Sequence, residues 1–325
     1  MAKPIVLAYR TAWNEADLPP AKVNYKTITH IAHSFAVADK MGLRFPEAKG
    51  TQTLIETAHK NGVQVTLAIG GAESNAALSA LCATPAQTVA LAKAVAKHVN
   101  ALGYDGADVD WEHPENAADT KRLSAFVAAL RAELPRPKLL TMAVPSTDWS
   151  GRWYDAPAIL PHLDWAAVMS YDFFGPWGNT AGHHAALFAG KGVDPALSGT
   201  AAIAYWRDTK RFPASKLLLG IPLYARGFRT KNWGDTVTTP ADKNQEGTYR
   251  ALKAGTTHRD TVCATWETES GAVILSGDNP ETAQIKGAWA RKQALAGVFF
   301  WELSQDGDGK TLPSVIVAAA RGFGK

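Results

Sequence analysis

Cysteine is scarce in this chain. Two residues, Cys82 and Cys263, stand in 325. So isolated a pair makes neither a metal-ligand spacing nor a disulfide framework. Both read as free buried thiols, with a single bridge between them as the alternative. Charge of one sign is thin as well. Lys and Arg number 34 against 30 Asp and Glu, a formal +4 with no Lys/Arg block or basic helix face. That excludes the electrostatic footprint a nucleic-acid partner needs, and the charges read as a solvated surface. No apolar stretch of about 18 residues occurs, so no membrane-spanning helix is expected. "MAKPIVLAYR" passes almost at once into a strand, and no signal peptide is read in this chain. No metal or other cofactor is expected.

What is present is an ordinary globular balance, 46% hydrophobic and 20% charged. Tryptophan is plentiful at 11 residues, several of them near predicted strand ends. There an aromatic face can stack on a sugar or another flat ligand.

Eight apolar, β-rich runs recur: 5–10, 28–36, 63–71, 105–111, 138–145, 164–172, 216–224 and 296–303. Between them lie stretches with apolar residues spaced at three and four, such as 85–102 and 116–134. Thr84 before Pro85 is a helix start, an N-cap with proline in the first turn. Strand–helix alternation predicts an α/β fold with a parallel sheet. Eight strands over this length predict a closed (β/α)8 TIM barrel. An open doubly wound sheet would want a glycine-rich loop after the first strand, and "YRTAWNEAD" is not one. The segment 225–295 is longer than one crossover helix needs. It reads as a small α+β insertion between strands seven and eight, within a single catalytic domain spanning 1–325.

The run "DGADVDWE", 105–112, holds four carboxylates in eight residues. Side chains alternate along a strand, so Asp108, Asp110 and Glu112 share one face, with neighbours about 6–7 Å apart. Val109 and Trp111 suit the opposite, helix-facing side. The carboxylates should then point into the barrel, with Glu112 nearest the C-terminal rim, where barrel enzymes keep their chemistry. Asp105 has the other parity and reads as a strand-start anchor. Like charges in a buried row disfavour one another's ionisation, so Glu112 can keep a proton near neutral pH, as a general acid must. A calcium loop would want Gly, Asn and exposed spacers instead of Val109 and Trp111.

"DGADVDWE" resembles the D-G-x-D-x-D-x-E signature of glycoside hydrolase family 18, the chitinases and their relatives. "ITHIAHSFA", "LAIGG", "VMSYDFFGPW", "LGIPLYARGF" and "GVFFWELSQD" resemble the family's second, third, sixth, seventh and eighth strands in order. The resemblance implies hydrolysis of β-1,4 bonds in chitin or chitooligosaccharides, with the substrate's own acetamido group as nucleophile. It implies Glu112 as acid and base, Asp110 as the partner of the acetamido N–H, and Asp108 as sharer of the proton. Tyr171 would donate to the acetamido carbonyl. Asp172 would contact the same sugar, Trp301 would form its floor, and Tyr9 would lie beneath the acidic row. Phe35, Tyr224 and Arg226 resemble further substrate contacts. Trp177 matches an aromatic on the leaving-group side, and Trp13 is a weaker candidate opposite. His183 and His184 read as loop histidines. Taken singly, Tyr171, Phe35 and Trp301 would pass for core packing.

Two departures matter. The family's S-x-G-G serine, a donor to the innermost aspartate, is Ala68 here. A lost donor costs about 1–3 kcal/mol unless another group fills in, so a shifted pH profile with retained activity is expected. "AESN" after Gly70–Gly71 lacks the large aromatic some relatives carry, which suggests weak processivity. Two other functions share the acidic strand. An endo-β-N-acetylglucosaminidase commonly has Asn where Tyr171 stands, and a non-catalytic chitin-binding lectin typically lacks the terminal Glu. Tyr171 and Glu112 favour the chitinase. A monomer acting outside the cell is expected, the location inferred from the insoluble substrate.

Overall fold

The computed structural model describes residues 3–39, 41–252, 255–268 and 270–325. Eight parallel strands form the core: β1 (Ile5–Thr11), β2 (His30–Asp39), β3 (Gln64–Gly71), β4 (Gly106–Trp111), β5 (Leu139–Val144), β6 (Trp165–Val168), β7 (Leu217–Pro222) and β8 (Gly297–Trp301). Each pairs with the next, and β8 pairs with β1, so the sheet closes on itself. This is the predicted (β/α)8 barrel. Closure leaves no open edge and gathers all eight strand ends at one rim.

The side-chain alternation of β4 follows the predicted parity. Val109 and Trp111 are buried outward in the layer between strands and helices, where Trp111 meets Phe126 of the helix Ala117–Glu133. The lumen has its own apolar filling, including Leu7, Tyr9, Ala32, Ala68, Trp165, Leu218 and Phe299. Helix ends follow local chemistry. Thr84 caps Pro85–Leu102, and Gly103 closes it in the left-handed conformation. Asn116 caps the following helix with bonds to two backbone N–H groups.

A second sheet lies between β7 and β8 in sequence. It is antiparallel, in the order Gln245–Thr248, Tyr224–Phe228, Ile274–Gly277, Cys263–Glu267, Thr256–His258. The run predicted as 216–224 therefore divides. Pro222 ends the barrel strand, and Tyr224 begins the second sheet. The helix Pro280–Lys292 belongs to the outer ring and packs on Val315–Phe323. The two backbones come close at Gly287, where a Cβ would lie 2.0 Å from the Ala319 carbonyl oxygen. A buried ion pair ties this helix to the end of the second sheet, Lys286 Nζ to Asp278 Oδ2 at 2.5 Å. Lys286 also donates to the Ala185 carbonyl. Cys82 and Cys263 are both free and buried. Among the described residues no single helix is long and apolar enough to cross a membrane.

Candidate active site

A cavity of about 660 Å³ opens at the C-terminal ends of the strands. Of the residues singled out from sequence, Tyr9, Phe35, Asp110, Glu112, Tyr171, Asp172, Tyr224, Arg226 and Trp301 all line it, as does Trp13. Two stand apart. Asp108 lies fully buried beneath the lining. Trp177 sits out at the rim, 59% exposed, with the Arg226 guanidinium 5.2 Å from its ring centre.

The acidic row is held from below. Asp108 accepts from Tyr9 Oη at 2.6 Å and from Thr141 Oγ1 at 2.5 Å. Burial pushes its carboxyl up, and these two donors work against that. Asp110, one step toward the rim, is 3% exposed. Burial raises it well above the usual carboxylate range, and the charges of Glu112 and Asp108 push the same way. Among the described residues its Oδ1 is buried without a hydrogen-bond partner. An unsatisfied buried acceptor in a cavity wall is a site that wants a donor from a ligand. Glu112 follows the last residue of β4. Burial and the nearby Asp172 charge push it up to about 7. Its backbone N–H donates to Ser74 Oγ at 3.1 Å.

His113 borders the row on the far side. Its Nε2 stands 3.5 Å from Glu112 Oε2, and its Nδ1 is 3.0 Å from Tyr154 Oη. Tyr154 in turn donates to the Trp111 carbonyl at 2.8 Å. Burial pulls the imidazole down to about 4, so it is neutral beside the acid at neutral pH.

The "GG" that ends β3 is there because the row presses on it. Gly70 has φ +113°, and a Cβ there would lie 2.1 Å from the Asp110 carbonyl oxygen. A Cβ on Gly71 would meet the Phe35 ring at 2.7 Å. Only glycine suits both positions. The aromatic floor is continuous. Trp301 stacks on Phe35 at 5.6 Å and 20°, and Tyr9 lies 5.6 Å from the same indole.

The opposite wall joins barrel to second sheet. Asp172 accepts from Tyr224 Oη at 2.7 Å, from Arg226 Nε at 2.6 Å and from His184 Nδ1 at 3.3 Å. Burial alone would raise Asp172. The bonds from His184 and Arg226 outweigh it and hold the carboxylate well below its ordinary range. His184 is thus a buried partner of the site, although its sequence marks it only as a loop residue. Thr141, Gln305 and Glu246 were also missed. Thr141 looks like any strand residue, Gln305 follows β8, and Glu246 sits in the second sheet, where it pairs with Arg226. Asp105 lies at the far end of β4, accepting from Val65 N at 2.7 Å and from His59 Nε2 at 2.8 Å.

A closed barrel with a buried carboxylate row under an aromatic-walled rim cavity places the chain among the barrel glycoside hydrolases. The sequence pattern of Glycosyl hydrolases family 18 matches residues 5–306, and the chain belongs to that family. It is 35% identical over 222 residues to Chitinase C of Streptomyces lividans, covering 62% of this chain and 36% of that protein. Chitinase 63 of Streptomyces plicatus is 35% identical over 232 residues, 66% of this chain and 38% of the relative. The match thus spans little more than a third of either relative's length. A family 18 chitinase from Cycas revoluta, solved in complex with (GlcNAc)3, superposes with a TM-score of 0.85 at 25% identity, covering 98% of this chain and all of that one. The fold is also that of a class V chitinase from Nicotiana tobaccum, TM-score 0.87 at 22% identity, covering 99% of each chain.

Proposed function

We propose that this chain is a chitinase, hydrolysing β-1,4 bonds between N-acetylglucosamine units with retention at the anomeric carbon. One observation carries the reading. A buried carboxylate oxygen on Asp110 with no partner among the described residues stands beside an acid poised at about 7, Glu112, in one cavity. That pairing suits a substrate bringing its own N–H donor next to the bond to be cut.

Glu112 gives its proton to the glycosidic oxygen as the C1–O bond breaks. The acetamido carbonyl oxygen bonds to C1, forming an oxazolinium ion. Asp110 accepts the acetamido N–H and steadies the positive charge on that ring. Tyr171 donates to the acetamido oxygen and aligns it for attack. Water then bonds to C1, its proton passes to Glu112, the oxazolinium opens, and the acid is restored. Two displacements retain configuration. Asp110, by turning toward Asp108 or Glu112, manages the proton the row shares, with Tyr9 as the hydroxyl partner of Asp108. Trp301 supports the sugar's apolar face, and Phe35 closes the floor beside it. Asp172, held by Tyr224 and Arg226, accepts from a sugar hydroxyl, and Trp177 meets the leaving chain at the rim. Chitin is insoluble, so the protein acts outside the cell, as a monomer, with Tyr224, Arg226 and Glu246 to Thr248 of the insertion between β7 and β8 walling its groove.

The test is hydrolysis of chitotetraose by wild type and Glu112→Gln. Turnover by wild type, a loss of at least about 1,000-fold in the variant and retained oligosaccharide binding are expected. Absence of turnover by the folded wild type would overturn the reading. Cleavage of N-glycan cores alone would replace it with the endo-β-N-acetylglucosaminidase.

A further inference from the structure

Asp108 stands in register between two residues on neighbouring strands, Ala68 of β3 on one side and Thr141 of β5 on the other. All three are buried. Ala68 offers only a methyl group. Thr141 offers a hydroxyl, and its Oγ1 donates to Asp108 Oδ1 at 2.5 Å. Tyr9 takes the other oxygen. The donor expected from the β3 side is therefore supplied from the opposite neighbour, β5.

We propose that Thr141 is the positioning residue that keeps Asp108 ionised and aimed, and that it stands in for the hydroxyl missing at position 68. This rests on the chitinase reading for its catalytic consequence, but not for the contact itself. A hydrogen bond donated to a carboxylate favours the charged form. Four other titratable groups stand around or above Asp108. Tyr9 lies on β1, Asp110 and Glu112 are above it, and Tyr171 follows β6. The charge of Asp108 pushes the Asp110 carboxyl up, and burial is what opposes the ionisation of Asp108 itself. The tyrosines are pushed far up by burial and stay neutral, and only Tyr9 donates to Asp108. Without Thr141, one phenol alone would hold a fully buried anion against the cost of burial.

The test compares Thr141→Val, Thr141→Ser, Ala68→Ser and the double variant Ala68→Ser/Thr141→Val. In Thr141→Val the acid limb of the kcat profile moves up by about one pH unit, and the rate at pH 5 falls about tenfold. Thr141→Ser behaves as wild type. The double variant recovers most of the loss, because the serine introduced at position 68 puts a donor back on the same carboxylate. A second readout needs no turnover. The gap in Tm between Thr141→Val and wild type widens from pH 4 to pH 8 and narrows again in the double variant. An unmoved acid limb together with a gap independent of pH would overturn the proposal, as would failure of the Ala68→Ser change to rescue. If wild type does not cleave chitooligosaccharides, the chitinase reading falls while the Tm comparison still decides the role of Thr141. Should Thr141→Val not fold, Ala68→Ser alone decides. An added donor moves the acid limb down, and an unmoved limb refutes the proposal.

Discussion

Replacing Glu112 by Gln should make the protein more stable above about pH 4.5, with the full gain reached at neutral pH and above. The ordinary value for a glutamate is 4.5, and in the folded chain Glu112 is raised to about 7 by burial and by Asp172. Below pH 4.5 the group is protonated in both folded and unfolded chains and contributes no difference. As pH rises from there, the unfolded chain releases the proton while the folded one keeps it, so unfolding is favoured progressively. The loss is complete once pH passes the folded value. At about 1.4 kcal/mol per pH unit, the whole interval is worth about 3 kcal/mol. A quarter of the side chain meets water, so screening brings this to about 2–3 kcal/mol. Gln is neutral throughout and escapes the penalty. An unfolding entropy of about 0.7 kcal/mol per kelvin for a chain of this length converts the difference to about 3–4 °C in Tm. Thermal unfolding of both proteins at pH 4 and pH 8 is the assay. The two should coincide at pH 4 and separate at pH 8, with the Gln variant higher. A gap that stays constant between those pH values, or one of opposite sign, would refute this account of the acidic row.

The same acid sets the basic limb of activity: kcat/KM should fall above about pH 7, as Glu112 loses the proton it must donate, and a profile flat to pH 9 would exclude it as the acid. Tyr171→Phe should lower kcat by about 100-fold with little change in KM, because one donor to a developing charge is removed. Steady-state kinetics on chitotetraose would show it. Lys286→Met should cost about 3–5 kcal/mol in urea unfolding, since it strands the fully buried carboxylate of Asp278. Adding Asp278→Asn should recover much of that loss.

The barrel and its acidic strand could be read from sequence because both rest on short-range periodicity. Two-residue alternation placed Asp108 and Asp110 on one face and Val109 and Trp111 on the other. Capping chemistry located the helix that begins at Pro85. The strand ends were harder. "DWAAVMSYD" looks like one strand to Asp172, yet β6 stops at Val168, and Asp172 has φ +59°. Tyr224 reads as the end of β7 but opens another sheet together with Arg226, because the barrel strand stops at Pro222 in a way the apolar pattern does not record. His184 and Thr141 were invisible for a different reason. Their roles come from contacts across 12 and 33 residues of chain, and no local pattern encodes a partner that far off. Ala68 drew attention as a missing hydroxyl, but sequence could not say that the neighbouring strand supplies one.

The groove is built by two parts of the chain that meet at Asp172. The acid chemistry lies on the barrel, while Tyr224, Arg226 and Glu246 to Thr248 reach over from the second sheet. Tyr224 and Arg226 hold Asp172, whose charge helps raise Glu112. On the proposed mechanism, the working pH of Glu112 is therefore set partly by a segment that does no chemistry. Trimming or lengthening the insertion would retune the proton affinity of Glu112 with every residue of the acidic strand left in place.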